Sequence, residues 1–385
     1  MLNKNKIFNY GIALYALLPI VFAYIFTVIK VAIPANATIY TFIIIMGIVG
    51  LNSIIKIQIR SSFYFFFSYF IFISWLCFGY FYSPSVISRN AKFILIFYNI
   101  ISPSLIFIFY YFTNNIKLDY DHLKRVLLKF SYVIAYIVFI FFAISAKVDE
   151  TGRYSIPGSE NPIFLSRFLC CLCIIILYVK HRTSPPALKY VTLFLLFYLI
   201  FLSASKGPLL SLLIVIYILF KKKYRVNNFK LFVIFISIIL LLVIAYTISS
   251  SNYLFDTNFY STYARLDIFT QVQSNLNLNY WTGAGLGSFN YLFFNVDTFG
   301  YPHNILVELF LENGIVGLLL FINLIFYFYR EFVINVFSLI ILFYFFCSQT
   351  SGDISFNGQL LVYTLFYFLF KFSDMNNKSN LLFKF

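Results

Sequence analysis

The 385-residue chain is 62% hydrophobic and 11% charged, holds 53 Phe and 32 Tyr, and carries a formal net charge of +15. A soluble domain has about a quarter charged residues, and one aqueous core cannot bury this many rings, whereas lipid-facing and interfacial positions take them readily. The basic residues lie between apolar runs and form no patch, which excludes a nucleic-acid partner and leaves an all-α polytopic membrane protein.

Crossing about 30 Å of hydrocarbon takes roughly 20 helical residues. Apolar runs of suitable length lie near 8–29, 38–55, 62–82, 93–113, 126–146, 163–179, 187–203, 208–220, 230–249, 304–328, 332–348 and 357–371. About twelve transmembrane helices are predicted, with both termini on one side. Helices one to nine occupy 1–249, a long loop occupies 250–302, and helices ten to twelve with a tail occupy 303–385. The first run exceeds the apolar core of a signal peptide and reads as a retained helix. Only Ser203-Ala-Ser-Lys-Gly-Pro208 separates the seventh run from the eighth, so the two read as a tight helical hairpin. Cys77, Cys170, Cys171, Cys173 and Cys347 all fall inside apolar runs without metal or disulfide spacing and read as core thiols.

Orientation follows from the basic residues, which stay cytoplasmic near helix ends. Twenty of the 28 Lys and Arg share a side with the N-terminus. The other eight, Lys30, Arg89, Lys92, Lys147, Arg153, Arg167, Lys206 and Arg265, lie on the opposite side or at its membrane edge. Both termini are therefore expected in the cytoplasm, and the 250–302 loop outside. Loops of that length are usually functional. Its Tyr253, Phe255, Phe259, Tyr260, Tyr263 and Phe269 make an apolar face, and 261–274 reads as an amphipathic surface helix.

Four outer cations are candidates for meeting an anion. Lys206 stands beside the helix breakers Gly207 and Pro208, and Arg167 lies about one turn inside the sixth run, where an ionisable group is costly. Arg153 precedes a Pro- and Gly-containing outer loop. Arg265 is the sole basic residue of the long loop. Arginine suits phosphate because its planar fork grips two oxygens, but ion pairs with outer carboxylates and snorkelling explain such residues equally well. The run Trp281-Thr-Gly-Ala-Gly-Leu-Gly-Ser-Phe289 follows no strand, so its glycines read as turns that fold the loop onto the bundle. Tyr301-Pro-His-Asn304 opens the tenth run. His303, at a helix N-terminus whose dipole disfavours imidazolium, is expected neutral and able to take a proton, or else to cap the helix. Asn304, Glu308 and Glu312 are spaced four apart, so they form one polar stripe whose carboxylates must face the bundle interior or a cavity.

The Ser-Ala-Ser-Lys-Gly207 turn, the loop with Arg265, Gly283-Ala-Gly-Leu-Gly287, and Pro302-His-Asn-Ile-Leu-Val-Glu308 followed by Glu312-Asn-Gly-Ile-Val-Gly317 resemble, in order and spacing, the bacterial O-antigen polymerase and O-antigen ligase superfamily. The likeness covers roughly 200–320 in motifs, and the helix count extends it to the chain. It implies a GT-C-like fold and a metal-independent, inverting glycosyltransferase that uses no cofactor. It also implies the periplasmic face of the bacterial inner membrane as the place of reaction, and an undecaprenyl-pyrophosphate-linked oligosaccharide as substrate. Membrane lipid and a chain-length regulator protein are the implied partners. His303 and Glu308 are then expected to activate the acceptor hydroxyl. Arg265, with Arg153, Arg167 and Lys206, would neutralise the leaving pyrophosphate, while Tyr301, Asn304 and Glu312 contact substrate. Ligases usually show Arg where this chain has Lys206, which replaces a fork by a point charge. The expected activity is polymerisation of lipid-linked repeats. Ligation to lipid A core is the close alternative, and a twelve-helix flippase or transporter is the distant one.

Overall fold

A computed structural model describes residues 4–17, 21, 24, 63–113, 119–148, 153–156, 162–179, 186–224, 280–350 and 354–382. The second and ninth predicted spans, much of the second half of the first, the 261–274 helix and Arg265 lie outside the described residues.

Twelve α-helices are described: α1 (Lys4–Leu17), α2 (Phe63–Tyr82), α3 (Ile87–Ile96), α4 (Ser102–Thr113), α5 (Tyr120–Ser145), α6 (Pro162–Tyr178), α7 (Pro186–Leu202), α8 (Lys206–Tyr224), α9 (Phe289–Phe294), α10 (Ile305–Arg330), α11 (Val336–Ser348) and α12 (Gly358–Leu382). A π-turn over Phe97–Ile101 joins α3 to α4 into one apolar rod, and the strands β1 (Lys147–Val148) and β2 (Tyr154–Ser155) pair antiparallel after α5. Four segments, 64–82, 87–109, 120–145 and 305–330, are long and apolar enough to cross a membrane. Shorter apolar helices lie at 8–17, 162–178, 186–202 and 336–348.

The centre of the bundle is α6 with α11 and α12. Residues Leu165–Ile176 of α6 and Leu360–Phe370 of α12 are buried, because these helices are apolar all round and other helices cover every face. Four of the five cysteines are buried and Cys77 is partly so, all as free thiols. One sequence expectation changes here. The turn between α7 and α8 is as short as predicted, with Ala204 at φ 47°, yet α7 packs chiefly on α6, and α8 on α11 and α6, instead of on each other.

The connections gather at two ends. At one, Asn9 reaches the Asp119 carbonyl, the Tyr120 hydroxyl takes the Val336 N–H and Tyr178 donates to the Ile334 carbonyl. Lys371 pairs there with Glu331. At the other end the turns 83–86, 203–205 and 280–304 meet residues 349–350 and 354–357. Gly207 packs on Thr350, Asn304 donates to the Gln349 carbonyl, and Leu286 N–H donates to the Gly79 carbonyl. This alternation is the one that the span order requires of the described helices.

Candidate active site

The second end is built around a break in α10. Gly314 adopts φ 65° and ψ −169°, a conformation open essentially to glycine alone, and it interrupts the helix just after Glu312 and Asn313. A broken helix inside a bilayer leaves backbone groups that water cannot reach, and each must find a partner. The glycine turn supplies them. Ala284 N–H donates to the Leu311 carbonyl and Gly285 N–H to the Glu312 carbonyl, both at 2.9 Å. In return Ile315 N–H donates to the Tyr280 carbonyl at 2.8 Å. The Trp75 indole N–H donates to the Asn313 carbonyl at 3.0 Å, and the Tyr82 hydroxyl donates to the Thr282 carbonyl at 2.5 Å. A Cβ on Gly283 would stand 2.6 Å from the Glu312 carbonyl carbon, and one on Gly285 would stand 2.5 Å from Ser83 Cα. The turn thus lies directly on α10 and the 83–88 segment, with no room for a side chain.

Glu308 and Glu312 stand one turn apart on α10 and are buried, at 1% and 0% exposure. Lys92 of α3, 0% exposed, meets both. Its ammonium bonds Glu308 Oε1 and lies 2.8 Å from Glu312 Oε2. Ile354 N–H adds a bond to each Glu308 oxygen, at 3.2 and 3.0 Å. Burying these charges is costly in a low-dielectric interior, and it is tolerated because ammonium, carboxylates and backbone N–H meet in one cluster.

Asn304 leaves the expected polar stripe. It is the N-cap of α10, its Oδ1 accepting Leu306 and Val307 N–H at 3.0 and 3.1 Å while its Nδ2 donates to Gln349. A short polar residue before an apolar run caps the helix before it can present a face. His303 precedes the cap at φ 60°, and its ring meets Tyr301 edge-on with centroids 4.7 Å apart. Tyr301 in turn packs on Phe356 at 6.1 Å, and Phe356 on Phe164 of α6 at 5.0 Å. Arg167, buried at 2%, lies over the Phe164 ring with its guanidinium carbon 5.8 Å from the centroid. An aromatic chain therefore links Arg167 to His303. Lys206 is the exposed first residue of α8, and Gly207 after it packs on the Thr350 side chain. Arg153 flanks β2, which packs on α6, with Tyr154 against Phe142 of α5.

So the structure brings Tyr301, His303, Asn304, Glu308 and Glu312 together, sets Arg167 and Lys206 on helices that reach the same end, and places Arg153 on a separate hairpin. Three participants escape a reading by motif. Lys92 falls at the edge of an apolar run, although Ser88, Lys92 and Ile96 mark a buried face at intervals of four. Ile354 acts through its backbone. Asp297 caps α3, accepting the Ser85 hydroxyl at 2.5 Å and the N–H groups of Val86, Ile87 and Ser88 at 2.9, 3.0 and 3.1 Å. The Ser85 hydroxyl first, then these backbone donors, hold the Asp297 carboxyl below the usual carboxylate range.

Fold and site together define a multi-pass membrane protein with a preorganised polar end and a buried lysine between two carboxylates. Residues 191–322 match the family model described as O-antigen ligase. That stretch runs from α7 through the Lys206 turn, the long loop with Arg265, the glycine turn and the His303-to-Glu312 segment. Over that stretch, about a third of the chain, the protein is similar to that family, and the likeness supports the O-antigen polymerase and ligase superfamily. No curated protein and no solved structure matches the chain.

Proposed function

We propose that the protein is a surface-polysaccharide polymerase that joins undecaprenyl-pyrophosphate-linked repeat units at the periplasmic face of the inner membrane, with both termini in the cytoplasm. The observation that carries this reading is the His303 turn, raised on the capped and ion-locked start of α10 within the matched stretch. In the reaction an acceptor hydroxyl attacks the anomeric carbon of the donor chain, the bond to the pyrophosphate oxygen breaks, and the hydroxyl proton goes to a base. His303 is the base in this reading. Glu308 already accepts from Lys92 and Ile354 and is the poorer base for it. Arg265, Arg167, Lys206 and Arg153 offer the positive charge that the leaving pyrophosphate requires, with the substrate's sugar met by Tyr301.

Ligation of finished polysaccharide to lipid A core is the second reading, and the description of the matching family favours it. Surface glycans from cells with and without the gene separate the two. Loss of the ladder above a single repeat supports polymerase. A full-length polymer that stays on undecaprenyl pyrophosphate supports ligase, and an unchanged ladder with unchanged lipid A decoration contradicts both.

A further inference from the structure

Within the proposed activity, we propose that Lys92 is a positioning residue of the reaction centre: one buried ammonium, clamped between Glu308 and Glu312, sets where His303 and Tyr301 stand. Two routes connect them. Along the helix, Glu308 N–H donates to the Asn304 carbonyl at 3.0 Å, so the residue that Lys92 holds closes the first turn behind the cap, and His303 is the residue before that cap. Across the bundle, Glu308 holds Ile354 N–H, and two residues on Phe356 packs against Tyr301, which packs against His303.

The rod that carries Lys92 grips the same segment a second time. Asn99, in the π-turn two turns further along, donates from Nδ2 to the Ser355 carbonyl at 3.0 Å. The far end of that rod is tied to the loop carrying His303, because Asp297 caps α3. Lys92 thus sits at the joint of three segments, 295–304, 305–312 and 354–357. A point charge suits this place, since one ammonium can satisfy two carboxylates that approach from one side.

The test compares Lys92→Arg with the charge-free Lys92→Met/Glu308→Gln/Glu312→Gln chain, which leaves no buried carboxylate without its counter-ion. Both are assayed as full chains in membrane vesicles supplied with lipid-pyrophosphate-linked repeats. Both should accumulate near the wild-type level. The triple variant should lose on the order of 10²-fold in kcat with the KM for donor nearly unchanged, as expected for an ångström-scale misplacement. Lys92→Arg should recover part of that rate. A wild-type rate in the triple variant, or failure of both chains to accumulate, would overturn the positioning role and leave Lys92 a purely structural ion. A second readout stands apart from activity. Tyr301→Cys, labelled by a membrane-impermeant maleimide, should react roughly tenfold faster when the triple substitution frees the segment, and an unchanged labelling rate counts against the proposal. If wild-type vesicles neither polymerise nor transfer glycan, the proposed function falls while the labelling still decides the role of Lys92.

Discussion

Replacing Gly314 by Ala puts a methyl group into the tightest backbone crossing of the candidate site. Its Cβ would stand 2.3 Å from the Trp281 carbonyl oxygen and 2.6 Å from Gly283 N, and both neighbours are backbone. Relief requires the 280–285 turn to retreat, which breaks the bonds of Ala284 and Gly285 to α10 and of Ile315 to Tyr280. A non-glycine residue at that φ and ψ costs about 1–3 kcal/mol, and each buried backbone group left without a partner adds about 1–3 kcal/mol. Even if only two of these groups stay without a partner, the total is on the order of 3–9 kcal/mol, enough to unfold the outer end of the bundle. Thermal melting in detergent, followed by size-exclusion chromatography, measures the effect. Gly300→Ala is the control, because the three atoms nearest its Cβ all belong to the side chain of Asn290, which can swing aside. Gly314→Ala should melt well below both wild type and the control, and Trp75→Phe, which removes one donor to the break, should fall between. Equal melting of Gly314→Ala and Gly300→Ala would refute the account of the glycine turn as partner of the broken helix.

Three further outcomes follow from the same structure. The Asp297 carboxyl is held low in the folded chain, so its contribution is fully present above the ordinary carboxylate range near pH 4 and is lost as pH falls through the lowered value. Asp297→Asn should therefore lower the melting temperature at pH 7 and flatten the acid limb of the melting profile, and identical profiles would remove the capping role. Thr298→Cys, exposed beside that cap, should react with an impermeant maleimide in intact spheroplasts; labelling only after lysis would invert the proposed topology. Glycan synthesis in washed membranes should continue in excess chelator, and a complete loss restored by a divalent ion would point to another class of transferase.

Much of the bundle was legible because apolar runs of helical length have one solution in a bilayer, and the described membrane helices follow those runs to within a few residues except at α3 and α5, which begin earlier, and α12, which ends later. The inward turn of Glu308 and Glu312 was legible for a related reason, since two carboxylates one turn apart on an apolar helix must share a face away from lipid. Lys92 was not. Counted as a charge at the end of the 93–113 run, it belongs to a helix that begins at Ile87, and its partners lie more than 200 residues away. The break at Gly314 left no mark either, because a glycine inside an apolar helix usually continues it, and the bonds that stabilise the break come from a turn thirty residues upstream. Asn304 was placed on the right helix but given a face to present, where its short side chain instead turns back on the backbone. The place of Arg265 lies outside the described residues, and its role rests on chemistry alone.

The central claim is that His303 takes the proton of an acceptor hydroxyl as a lipid pyrophosphate departs. Purified chain in vesicles of membrane lipid, given a synthetic undecaprenyl-pyrophosphate-linked repeat, tests it most directly. Wild type should build a ladder of repeats and release undecaprenyl pyrophosphate one for one. His303→Ala, present at the same level and with the same melting temperature, should be slower by roughly 10²–10⁴-fold. A ladder formed by His303→Ala at the wild-type rate would contradict the account.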